Sequence, residues 1–93
     1  MAETITADDV VELSSMYLLR WEEPQQAHIL LYPEGVVKLN ETGAEILKYC
    51  DGTRTAEKII TELNELYTTD VSKSVYKFLE VSYVKGWIRI KSW

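Results

Sequence analysis

Two side chains have the chemistry of a metal ligand or a catalytic centre, His28 and Cys50, and each is the one residue of its type. A protein zinc site takes three or four nitrogen or sulfur ligands, which one imidazole and one thiol do not supply. No glycine-rich phosphate loop, G-x-S-x-G or H-E-x-x-H pattern occurs. A single cysteine allows no internal disulfide, in agreement with a reducing compartment. His28 lies in an apolar run and reads as hydrogen-bonded structure. Cys50 falls on the apolar stripe of a helix and reads as a small hydrophobe. Carboxylates are plentiful, fifteen Asp and Glu, but a chain of 93 residues has little room for an enclosed substrate pocket. These residues point to binding, with no enzyme activity, cofactor or metal.

The elements that must carry a binding surface are legible from periodicity and turn chemistry. Residues 1–16 are acidic and weakly patterned; Thr6-Ala7-Asp8-Asp9 has the form of a helix start, yet the segment reads as a flexible arm. Tyr17-Leu18-Leu19-Arg20-Trp21 has strand composition, and Glu22–Gln26 reads as a loop. Ala27-His28-Ile29-Leu30-Leu31-Tyr32 is apolar on nearly both parities, as a central strand would be. Pro33 and Gly35 suit the second and fourth positions of a tight turn, so Val36-Val37-Lys38-Leu39 returns antiparallel as an edge strand.

Helices follow. Asn40 is placed to cap the first, whose apolar stripe is Gly43, Ile46, Leu47 and Cys50. Gly43 is expected to let that helix approach the sheet. Asp51-Gly52 ends it, with glycine as a left-handed cap. Thr55 caps a second helix with Ile59, Ile60, Leu63, Leu66 and Tyr67 on its buried side. After the Thr68-Thr69-Asp70 break, a third helix carries Val71, Val75, Phe78, Leu79 and Ser82 on one face and stops at Gly86. Trp87–Lys91 forms a short terminal strand or wing. The expected fold is one compact α+β domain over residues 17–93, a three-stranded antiparallel sheet followed by a three-helix bundle.

Three features exceed what a bland domain needs. Residues 1–70 hold five basic and fourteen acidic side chains, a net of −9, whereas residues 71–93 hold five basic and one acidic, a net of +4. Lys73, Lys77 and Lys85 on the third helix are candidates for electrostatic steering of an acidic partner; the alternative is a solvated face. The third helix also has a second apolar stripe, Tyr76, Leu79 and Tyr83, which either packs the terminal strand or lines a groove. Finally, the strand over 36–39 has Lys38 as its main edge protection. An edge strand beside an apolar helix face makes a slot for an extended peptide.

The runs His28-Ile29-Leu30-Leu31-Tyr32-Pro33-Glu34-Gly35, Leu39-Asn40 and Cys50-Asp51-Gly52-Thr53-Arg54-Thr55 resemble the PqqD family of pyrroloquinoline quinone (PQQ) biosynthesis. Leu19-Arg20-Trp21-Glu22, Phe78-Leu79-Glu80-Val81 and Lys85-Gly86-Trp87-Ile88 extend the resemblance over roughly residues 17–90. It implies a RiPP recognition element: a small winged helix-turn-helix-like peptide chaperone that binds a ribosomal precursor peptide. It further implies presentation of that peptide to a radical S-adenosylmethionine (radical SAM) enzyme, which cross-links a Glu and a Tyr. The peptide is expected to pair with Val36, Val37, Lys38 and Leu39. Val75, Phe78, Leu79, Ser82 and Tyr83 are candidates for the groove wall, some of them core. The expected molecule is cytoplasmic, a monomer or weak homodimer, with no nucleic-acid or membrane partner. The rival is a DNA-binding winged-helix regulator, which a net charge of −5 disfavours.

Overall fold

The computed structural model describes residues 4–91. Its elements, in chain order, are β1 (Val10–Leu13), β2 (Leu18–Glu22), β3 (Ala27–Tyr32), β4 (Gly35–Lys38), α1 (Glu41–Lys48), β5 (Asp51–Thr55), α2 (Ala56–Tyr67), α3 (Ser72–Lys85) and β6 (Ile88–Ile90). The strands form two antiparallel sheets, ordered β2-β3-β4 and β5-β1-β6. The α+β class and the 17–39 meander are as expected. The order is not simply a sheet followed by a bundle, because a second sheet is stitched together from the start, middle and end of the chain.

Over residues 4–16, that second sheet corrects the reading of residues 1–16 as a loose arm; residues 1–3 lie outside the described residues. Val11 is fully buried, and β1 pairs Glu12 with Arg89 of β6 and with Asp51 of β5. An Arg89–Glu12 ion pair of 2.8 Å reinforces the join. Upstream, Ile5 is fully buried in the main core, and the Tyr76 hydroxyl of α3 donates to its carbonyl oxygen. Thr4 Oγ1 donates to Glu80 Oε2 at 2.7 Å. Apolar burial of two β-branched side chains, plus ladder hydrogen bonds, ties this segment down despite its acidic composition.

The helix caps follow local chemistry. Asn40 Oδ1 accepts from the Gly43 N–H at 2.7 Å, and Thr55 Oγ1 accepts from the Lys58 N–H at 3.1 Å. Gly86, at φ +84°, terminates α3 as expected. Gly52 also has positive φ, +83°, but not as a helix cap. The helix has already ended at Lys48, with Tyr49 right-handed at its C-cap. Gly52 instead sits in β5, where a Cβ would lie 2.9 Å from Glu12 Oε1.

Gly43 lets a neighbour approach, but that neighbour is α3 rather than the sheet: its Cβ would lie 3.0 Å from Phe78 Cε1. The core thus runs between β3, α1, α2 and α3, with Leu30, Leu47, Ile59, Leu63 and Leu79 fully buried or nearly so. Among the described residues, no helix is long and apolar enough to cross a membrane.

Candidate functional site

The β3–β4 hairpin closes on a two-residue turn, with Tyr32 paired to Gly35 and Pro33-Glu34 between them. Tyr32 stacks on Tyr17 at 5.3 Å between ring centroids, which fixes the hairpin's inner side. The register places Lys38 opposite Ile29 and therefore Leu39 opposite His28. The Leu39 N–H donates to the His28 carbonyl oxygen at 3.0 Å. In an antiparallel ladder, hydrogen-bonded and non-bonded pairs alternate. Val37 and Leu39 therefore turn their backbone polar groups toward β3. The N–H and C=O groups of Val36 and Lys38 point the other way, out of the sheet edge. Among the described residues, no strand pairs with that edge.

Side chains alternate with the same period. Val37 packs on the core and Leu39 is buried in it, whereas Val36 is 56% exposed and Lys38 is exposed. Of the four residues expected to pair with a peptide, Val36 and Lys38 face out of the sheet edge and Val37 and Leu39 face β3. Val36 and Lys38 provide free backbone groups; Val37 and Leu39 hold the strand in place.

Beyond the end of β4 stands α3. Phe78 Cε1 and Asn40 Oδ1 lie 3.0 and 3.1 Å from the same point, the position a Gly43 Cβ would take. The chain just after β4 and the Phe78 flank of α3 are therefore neighbours. Ser74, Phe78, Val81 and Lys85 succeed one another at i, i+4, i+7 and i+11, which is one flank of the helix. Trp87 extends this flank: its ring is 6.3 Å from Phe78, and the Lys85 ammonium lies 5.8 Å from its centroid.

The other predicted wall residues are placed differently. Val75, Leu79 and Ser82 have no exposed surface and belong to the core, so they do not line a groove. Their face of α3 is covered by α1 and α2, with which the helix packs. Tyr83 is partly buried against the same core. The second apolar stripe that Tyr76, Leu79 and Tyr83 form is explained in part by Ile5, which docks where Tyr76 bonds its carbonyl. Phe78 and Tyr83 are the predicted wall residues that remain partly open. The sequence reading passed over Val81 and Ser74, although their spacing from Phe78 was the available signal. Val84, 78% exposed, was passed over too.

Lys73, Lys77 and Lys85 are exposed on α3, and among the described residues none forms an ion pair. Lys73 and Lys77 border a shallow cleft of about 530 Å³ with Ile60, Tyr76 and Glu80.

His28 and Cys50 occupy structural positions. His28 meets Trp21 edge-on at 5.1 Å, beside a cleft of about 440 Å³ that also takes in Leu39, Asn40, Glu41, Lys48 and Tyr67. Cys50 is buried, and its thiol donates to the Ile46 carbonyl at 3.4 Å. Burial, with a smaller contribution from Asp51, pushes this thiol up to about 12, so it carries no nucleophilic thiolate near neutral pH.

The Cys50–Thr55 run is scaffold as well. The Asp51 carboxylate accepts from the Thr53 N–H and hydroxyl and pairs with Arg54 at 2.6 Å. Chiefly the Thr53 hydroxyl bond holds its carboxyl below the usual range. Arg54 reaches Glu62 of α2 at 3.2 Å and lies 4.8 Å above the Tyr49 ring. This bracket orients β5 against α2 at the N-cap of that helix.

This topology is shared with a solved RiPP recognition element. The solution NMR structure of the PqqD truncation of Methylobacterium extorquens PqqCD, described as a functional and stand-alone RiPP recognition element, superposes with a TM-score of 0.75. The two are 26% identical, with 91% of this chain and 94% of the other covered. The family model for coenzyme PQQ synthesis protein D (PqqD) matches residues 27–88. A PqqA binding protein of Methylococcus capsulatus is 39% identical over 87 residues, covering 92% of this chain and 94% of its own. Another, from Azotobacter vinelandii, is 39% identical over 92 residues, covering 97% and 99%. One from Klebsiella pneumoniae is 42% identical over 81 residues, covering 85% and 88%. The chain belongs to the PqqD family.

Proposed function

We propose that this chain is a non-catalytic peptide chaperone of PQQ biosynthesis. It binds the precursor peptide PqqA as an added strand on β4, next to the Ser74–Phe78–Val81 flank of α3. In this reading it presents the peptide to a radical SAM enzyme for Glu–Tyr cross-linking, in the cytoplasm, as a monomer or weak homodimer and without a cofactor. The α2–α3 pair followed by β6 supports a winged helix-turn-helix-like description of the scaffold. The observation that carries the proposal is the outward orientation of the Val36 and Lys38 backbone groups on an unpaired edge. Main-chain bonds give such a complex affinity, and side-chain contacts select the sequence.

The test is an NMR titration of the intact chain with PqqA peptide and, separately, with duplex DNA. The expected result is amide shifts concentrated on β4 and the α3 flank with peptide and none with DNA. Lys73→Gln, Lys77→Gln and Lys85→Gln together should slow peptide association and flatten its salt dependence, since rim charges act mainly on the on-rate. Shifts with DNA at α3 and none with peptide would favour a regulator.

A further inference from the structure

The parity of β4 fixes more than which backbone groups are free; it also fixes which side chains an added strand would meet on the sheet's outer face. Cross-strand pairing sets two rows there. Leu18, Leu31 and Val36 form one; Arg20, Ile29 and Lys38 form the next. The first row is apolar and open, with Leu18 57% and Val36 56% exposed. The second is cationic at both ends. Ile29 between them is only 4% exposed, and the aliphatic stems of Arg20 and Lys38 are placed to shield it. Among the described residues, Lys38 forms no ion pair or hydrogen bond. It is thus a free cation beside the open edge of a protein whose net charge is −5.

We propose that Val36 and Lys38 together select the peptide strand: it carries an apolar residue opposite Val36 and, two positions away on the same face, an Asp or Glu opposite Lys38. This rests on the strand-addition reading above. The two-residue spacing follows from the alternation of side chains along any strand. Both β4 residues present outward backbone groups, so each lies directly opposite one peptide residue, with the Cβ atoms within reach of each other. An acid there meets an unpaired ammonium, and a like charge meets repulsion. An apolar residue at the other position continues the Leu18–Leu31–Val36 row and covers it from water. The strand's intervening side chains point to the other face, beside Val37, and are not read by this pair.

The test is a charge-reversal exchange, with affinities measured by calorimetry on the full chain and folding checked by thermal melting. PqqA peptide is the probe, along with a set of variants in which each Asp or Glu is changed in turn to Lys. Lys38→Glu, at an exposed site, should leave the melt unchanged and weaken the unaltered peptide at least about threefold, as expected for replacing a favourable cross-strand pair by a repulsive one. One peptide variant, and one alone, should regain affinity for Lys38→Glu. The residue two positions from that acid should be apolar; changing it to Asp should weaken binding to the wild type, and Val36→Lys should recover part of that loss.

Wild-type binding that is indifferent to Lys38→Glu, or rescue by no single variant, would overturn the pairing and reduce Lys38 to a guard against edge-to-edge aggregation. Failure of the wild type to bind PqqA at all would overturn the strand-addition reading together with it. The two failures are therefore distinguishable by the wild-type titration alone.

Discussion

The Phe78 ring stands where a Gly43 side chain would be: an added Cβ would lie 3.0 Å from Cε1 and 3.2 Å from Cζ. Gly43 is in the first turn of α1, directly after the strand that carries the open edge, and this contact sets how near α3 comes to α1. Gly43→Ala gains about 1 kcal/mol of helix propensity. Against that, forcing a methyl into a packed contact costs roughly 1–3 kcal/mol. The expected net effect in urea denaturation is a loss of about 1 kcal/mol. In a Phe78→Ala background the same substitution should cost less, because the ring is gone and Asn40 Oδ1, at 3.1 Å, is the remaining close neighbour. A double-mutant cycle reads the coupling directly; equal effects in the two backgrounds would show that the contact sets nothing.

Ile5 is fully buried and its carbonyl is bonded by Tyr76, so the N-terminal segment is part of the folded unit. Ile5→Ala should lower stability by about 2–5 kcal/mol, the range for large-to-small changes in a packed core. Tyr76→Phe removes the donor and should cost about 1 kcal/mol. A loose arm predicts no change in either variant, and urea unfolding separates the two outcomes.

How much of this was legible in the chain depends on how local each determinant is. The β3–β4 hairpin is written in Tyr32-Pro33-Glu34-Gly35, where the turn chemistry is complete within four residues. Asn40 and Thr55 are likewise readable, since a cap acts on backbone groups two or three residues away. The second sheet is not. Val10-Val11-Glu12-Leu13 is short and follows an acidic stretch, and its partners lie at 51–55 and 88–90. Nothing near it in sequence announces them. Gly52 misled for the same reason: a positive-φ glycine after a helix reads as its cap, whereas here the Glu12 carboxylate, brought by β1, excludes a side chain.

For the site, periodicity identified which residues of α3 share a face without saying which face is covered. Val75, Leu79 and Ser82 were therefore admitted to a groove that they do not reach. The parity of β4 depends on its register with β3, a tertiary fact that no pattern within Val36–Leu39 contains.

Cys50 gives the fold a pH signature. Burial raises its folded-state value from an ordinary 9.0 to about 12. The neutral thiol is favoured in the folded state, so its stabilising effect is complete below the unfolded value. It is lost as pH rises through the interval up to about 12. Between pH 9 and pH 12 the stability advantage of the wild type over Cys50→Ala should shrink by about 1.4 kcal/mol per pH unit. Taking the difference between the two proteins removes the contributions of tyrosines and lysines. The thiol should also resist alkylation at pH 8 until urea unfolds the chain. A constant difference across this range would mean that the thiol is in contact with solvent.

The alternation along β4 makes a proline scan decisive, because the ring removes one N–H at a time. Val37 turns its N–H toward β3, by the same parity that gives the Leu39–His28 bond of 3.0 Å. Val37→Pro should lower stability by about 3 kcal/mol, through a lost ladder bond, an unsatisfied acceptor and steric obstruction. Val36→Pro and Lys38→Pro remove N–H groups that face away from the sheet, so they should unfold within about 1 kcal/mol of the wild type. Each should still weaken PqqA binding by about tenfold or more: one hydrogen bond is worth roughly 1 kcal/mol, and the ring stands in the path of the incoming strand. Folding is then sensitive at one parity and peptide binding at the other. Normal peptide affinity in both Val36→Pro and Lys38→Pro would mean that the peptide does not add to β4. The alternating pattern, by contrast, is one that a peptide bound elsewhere on the surface has no means of producing.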